Sequence, residues 1–79
     1  MTTESDFDGG LSRAERREVQ TLLKFAGHDI GEVDGMIGAR SREALKLEQE
    51  KQGMKADGRA GRKTLDALRA RYGAAVPAN

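Results

Sequence analysis

Asp34-Gly35-Met36-Ile37-Gly38-Ala39-Arg40-Ser41, followed by Ala44-Leu45, decides the fold, because it returns 23 positions later as Asp57-Gly58-Arg59-Ala60-Gly61-Arg62-Lys63-Thr64, followed by Ala67-Leu68. Both copies read D-G-x-x-G-x-x-[ST]-x-x-A-L, with six positions in register. Asp bonds its own backbone in a turn, and the following Gly supplies a positive φ. Asp34-Gly35 and Asp57-Gly58 are therefore turn-formers. Gly38 and Gly61 then serve as helix N-caps, and Ser41 and Thr64 fall in the first turn, where a hydroxyl can meet free N–H groups. One device launches two helices.

The remaining helix lies upstream. Ser12 and Glu15 form a capping box, and Val19, Leu22, Leu23 and Ala26 recur at helical spacing. The pattern predicts a helix from about Arg13 to Ala26, ended by Gly27. The second helix is expected from Ala39 to about Lys51, and the third from Arg62 to Tyr72. Residues 28–38 form a Gly-dense loop anchored by Ile30, Val33 and Ile37. The fold class is all-α: a small three-helix bundle with Asp-Gly turns between its helices. Its expected core is Val19, Leu22, Leu23, Ile30, Val33, Ile37, Leu45, Met54, Leu65 and Leu68, helped by Ala26, Ala44 and Ala67, with Phe25 at the edge of the first stripe. Residues 1–10 read as a polar, acidic leader, 11–72 as the domain, and 73–79 as a tail.

Composition narrows the function. The chain of 79 residues has room for one domain. It has no Cys for a disulfide or thiolate site. The first six residues have neither the basic region nor the apolar segment of a secretory signal, so an exported parent would be longer than this chain. No apolar run approaches a membrane span. All fourteen Lys and Arg follow residue 12, whereas three of the thirteen acids lie in the first ten. The domain is mildly basic, which favours an anionic ligand.

Catalytic chemistry finds no constellation here. There is a single His and no nucleophile–base pattern. His28-Asp29 are adjacent and have no partners at metal-ligand spacing. Neither Asp-Gly turn matches a calcium loop, and the Gly-x-x-Gly segments lack the Lys-Ser/Thr of a phosphate loop. No cofactor or metal is called for.

The ordered series Val19-Gln20…Leu22-Leu23…Gly27-His28…Val33-Asp34-Gly35…Gly38…Ser41…Ala44-Leu45…Gln49…Gly53-Met54…Asp57-Gly58…Gly61…Thr64 resembles the type 1 peptidoglycan-binding domain, over roughly residues 12–70. The lead-in Leu11-Ser12-Arg13-Ala14-Glu15-Arg16 is similar to the version at the C-terminus of lytic murein transglycosylases. The resemblance implies a non-catalytic, monomeric module that tethers a periplasmic or envelope-located cell-wall hydrolase to murein, with a covalently linked catalytic domain upstream. Two positions depart from the family. His28 and Glu48 stand where it carries aromatic residues. Either Leu47 rotates into the core in place of Glu48, which is the reading favoured here, or Glu48 is partly buried with a raised pKa.

Free N–H groups at the two helix starts, with Arg40 and Arg42 beside the first and Arg59, Arg62 and Lys63 beside the second, suit a stem-peptide carboxylate. The candidate ligand residues are Gly38, Arg40, Arg42, Gln49, Gly61 and Arg62. Gln20 and Gln49 can each serve either a ligand or a loop backbone. With so few aromatics, peptide contacts are expected over stacking on sugar rings. A basic nucleic-acid-binding bundle and a protein-docking module are the alternatives.

Overall fold

The computed structural model describes residues 10–75. It contains three helices, α1 (Arg13–Phe25), α2 (Ala39–Lys51) and α3 (Arg62–Tyr72), and a short 3-10 turn, Gly73–Ala75. No strand occurs among the described residues. Of the leader expected at residues 1–10, all but Gly10 lies outside them, as does the tail beyond residue 75. Residues 73–75, expected to belong to the tail, instead prolong α3 as one tight turn.

Each helix begins as its local sequence dictates. At α1 the Ser12 hydroxyl accepts from the Glu15 amide at 3.1 Å, and the Glu15 carboxylate accepts from the Ser12 amide at 3.0 Å. This satisfies two of the four amides that a helix start leaves open. Helices α2 and α3 start at Gly38 and Gly61 with no side-chain cap. α1 packs against both other helices. Two ion pairs tie it to α3 at the surface, Arg62 to Glu15 at 2.8 Å and Arg69 to Glu18 at 2.7 Å. Exposed pairs of this kind add little stability.

The core is Leu11, Val19, Leu22, Leu23, Ile30, Ala44, Leu45, Ala60, Leu65 and Leu68, with Val33, Ile37 and Tyr72 packed on its margin. Leu11 and Ala60 were not anticipated, since neither belongs to a periodic run. Leu11 sits one residue before the α1 cap, and Ala60 occupies in the second cassette the place of Ile37 in the first. Met54, Ala26 and Ala67 are only half-buried. Phe25 is 48% exposed. At about 100° per residue it lies about 60° beyond Leu22 and about 120° from Val19, past the edge of the buried stripe.

The rotation expected at Leu47 does not occur. Leu47 is 50% exposed and Glu48 is 1% exposed. The buried face of α2 is Ser41, Ala44, Leu45, Glu48 and Gln49. Turning the helix to bury Leu47 would carry Leu45 and Gln49 off that face, so the glutamate stays in.

Its carboxylate accepts from His28 Nε2 at 2.8 Å and from the Tyr72 hydroxyl at 2.9 Å, and Lys51 Nζ stands 3.5 Å away. Burial pushes this carboxyl up. The hydrogen bonds from His28 and Tyr72, with the charge of Lys51, outweigh burial and hold it below its ordinary value. The expected rise is thus corrected to a fall. A lowered folded pKa means that Glu48 contributes stability above the ordinary glutamate range and loses that contribution as pH falls through the lowered value. Glu48→Gln is therefore expected to cost about 1–2 kcal/mol at pH 7 and to flatten the acid side of the stability profile. Urea unfolding between pH 7 and pH 3 measures both. Some acid dependence persists from Glu15, Glu18, Asp34 and Asp57, which are also held low.

Candidate functional site: a groove at the start of α2

The loop before α2 is held by a glutamine on α1. Gln20, 1% exposed, accepts from the amides of Asp34 and Gly35 at 3.1 and 2.7 Å and donates to the Met36 carbonyl at 2.9 Å. Its amide nitrogen also stands 3.4 Å from the Ser41 hydroxyl. Gln49 on α2 repeats the clamp on the next turn. Its oxygen accepts from the Gly58 amide at 2.9 Å, and its NH2, with two hydrogens to share, stands within reach of the Arg59 carbonyl at 3.1 Å, Asp57 Oδ1 at 3.2 Å and the Thr64 hydroxyl at 3.1 Å. Within each turn the aspartate accepts from the amide two residues on, Asp34 from Met36 and Asp57 from Arg59, each at 2.9 Å. Those backbone bonds are the main cause of the lowered pKa of both aspartates. Of the two roles open to the glutamines, the loop-backbone role is the one the structure displays. Ser41 and Thr64 direct their hydroxyls to these glutamines, where bonds to their own helix amides were expected.

An arginine seven residues before each glutamine completes the device. Arg13 Nε donates to the Asp34 carbonyl at 3.1 Å, and Arg42 Nη1 donates to the Gly58 carbonyl at 3.1 Å. Arg16 Nε adds a bond to the Gly35 carbonyl at 2.7 Å. The spacing Arg-x6-Gln occurs at 13–20 and 42–49 and is the sequence signal that predicts these contacts.

The clamped loop stands off from α2 and leaves a groove. One cleft, of about 240 Å³, runs between Ile30, Gly31, Asp34 and Met36 on the loop side and Gly38 to Ser41 on the helix side. A second, of about 280 Å³, is walled by His28, Asp29, Arg40, Glu43, Ala44 and Leu47. Arg40 stands in the wall of both. Its side chain is 68% exposed, and Asp29 Oδ1, itself 91% exposed, lies 3.7 Å away. The first turn of α2 carries no acid and no side-chain cap. The walls are mixed in charge, with Arg40 beside Glu32 and Asp34 in the first cleft and beside Asp29 and Glu43 in the second, and the open amides of α2 add a local donor set next to an apolar surface that includes Met36, 67% exposed, and Leu47.

The six candidate ligand residues therefore separate. Gly38 and Arg40 meet in the groove. Arg42 bonds the second turn, and Gln49, 2% exposed, spends its amide there. Arg62, next to Gly61, is held by Glu15 of α1. The loop wall, Ile30 to Met36, and Leu47 were not foreseen as groove residues. Exposed apolar side chains at Met36 and Leu47 become visible only once the helix phase and the loop path are fixed. Among the described residues no group of three or more His, Asp or Glu is placed to hold a metal ion.

Residues 12–68 match the family model of the peptidoglycan binding domain. The chain belongs to this family. It is 42% identical over 59 residues to the spore cortex-lytic enzyme of Bacillus cereus, a match that covers 75% of this chain and 23% of that enzyme. It also superposes on the crystal structure of SltB3 from Pseudomonas aeruginosa in complex with NAG-anhNAM-pentapeptide, with a TM-score of 0.70 and 47% identity, covering 75% of this chain and 16% of that one. The chain thus spans less than a quarter of the relatives it matches.

Proposed function

We propose that this peptidoglycan-binding domain holds murein in the groove at the start of α2, through the stem peptide, and that it tethers a cell-wall lytic enzyme in the periplasm or envelope. The reading takes the module itself as non-catalytic and monomeric, with a lytic transglycosylase as the linked enzyme. The observation that carries it is Arg40, an exposed cation shared by two clefts in the first turn of a helix that has no side-chain cap. That combination suits a carboxylate on a short peptide, with Met36 and Leu47 supplying apolar contact.

Neither alternative finds comparable support. The connection between α1 and α2 runs from residue 26 to residue 38, far beyond the three- or four-residue turn of a helix-turn-helix. No observation favours a protein partner over murein.

Arg40→Glu is expected to weaken retention on insoluble murein sacculi by about tenfold or more, the scale of one lost charge-assisted bond. Co-sedimentation at low and moderate salt measures it, with circular dichroism to show that helicity is kept. Retention equal to that of the unmodified chain would overturn the groove assignment.

A further inference from the structure

His28 and Glu48, the two positions that depart from the family's aromatics, are joined to each other. Glu48 turns inward from α2, and its carboxylate fixes His28 through Nε2 at 2.8 Å. Tyr72 from α3 and Lys51 from α2 hold that carboxylate in turn. With Nε2 committed, the ring's other nitrogen is the one left for contact. Nδ1 makes no hydrogen bond among the described residues. It is not a buried orphan either, since the one buried side-chain nitrogen or oxygen without a partner there is Nε2 of Gln52. The His28 side chain is 16% exposed, and it lines the second cleft beside Arg40 and Leu47.

We propose that His28 is a ligand-contacting residue of the groove that presents Nδ1 to a carboxylate of the stem peptide, with Glu48 and Tyr72 as its positioning residues. This rests on the groove reading above. When the ring is neutral and donates Nε2–H to Glu48, Nδ1 is an acceptor and faces a carboxylate unfavourably. When the ring is protonated, both nitrogens donate, one to Glu48 and one to the ligand. Binding then strengthens as pH falls. The charged and titratable groups around the ring are Glu48, Lys51, Arg40 and Glu43 on α2, Tyr72 on α3 and Asp29 in the loop.

The test is co-sedimentation with sacculi from pH 8 to pH 5, using the unmodified chain, His28→Gln and His28→Phe, with circular dichroism at each pH. The unmodified chain is expected to gain about threefold in affinity on acidification, the scale of a partly exposed charge pair. Both variants are expected to pellet with a flat profile. Glu48→Gln, which loosens the ring, is expected to give a shallower rise. A variant that keeps the full rise, or an unmodified chain with a flat profile, overturns the role of His28 while leaving the groove reading standing. A folded chain that fails to pellet at every pH overturns both.

Discussion

Gln49→Leu is expected to lower the unfolding free energy by about 3 kcal/mol, although leucine is similar in size and well suited to a buried position. Gln49 is 2% exposed, and one amide group serves four partners on the second turn. Leucine leaves the buried Gly58 amide without the acceptor it has in Gln49, and removes the NH2 that the loop and Thr64 share. A buried polar group stranded in this way costs about 1–3 kcal/mol by itself. Small domains are stable by about 5–15 kcal/mol in all, so the loss is a large part of the total. It should appear as a fall of roughly 10–20 °C in Tm. Gln52→Leu is the control. Its Nε2 has no partner among the described residues, so replacing it breaks no bond at that nitrogen and should cost little. Equal losses at the two positions would show that the clamp at Gln49 is not what holds the turn.

Gly35→Ala is expected to cost about 3 kcal/mol and to disturb the groove as well. Gly35 has φ +83, where an L residue pays about 1–2 kcal/mol. A methyl group there would also come within 2.6 Å of Arg13 Cγ and 3.2 Å of the Arg13 carbonyl oxygen. The side chain can swing away, but then it gives up its bond to the Asp34 carbonyl. The backbone oxygen cannot move without shifting the start of α1. Gly27 separates the two contributions. It has φ +102, and a methyl group added there would meet nothing within 4 Å, so Gly27→Ala should pay the backbone strain alone. Thermal unfolding of the two variants side by side measures the difference, and similar Tm values would show that the close approach at Arg13 is relieved without cost. Because Gly35 lies between the groove residues Asp34 and Met36, the same variant should also retain less murein.

Most of the fold could be read from the sequence because its helix boundaries are set locally. The capping box at Ser12, the glycines at 38 and 61, and the duplicated cassette each act over a few residues, and the three helices start where those signals place them. The core was less readable where burial depends on three-dimensional placement. Leu11 and Ala60 are buried although neither belongs to a periodic run, and Phe25 is exposed despite its chemistry. Glu48 is the clearest case. Its polarity argued for the surface, yet the phase of α2 is fixed by Ala44, Leu45 and Gln49, and the partners that make its burial tolerable come from residues 28 and 72.

The site divides along the same line. The place of Gly38 and Arg40 at the start of α2 was legible in the sequence because a helix start and its charge are local features. The hold on Arg62 was not, since it depends on Glu15, 47 residues away in the chain. The groove walls likewise depend on the path of residues 28–38, which Gln20 sets from a different helix.

The most direct test of the central claim is to titrate the chain with a soluble muropeptide bearing the stem peptide and to follow the backbone amide shifts by NMR. The groove at α2 predicts the largest changes at Gly38, Ala39, Arg40 and Ser41, extending to His28 and Met36, with the start of α3 nearly unmoved. Changes centred on Gly61 to Lys63, or none at all on a folded chain at millimolar ligand, would contradict it.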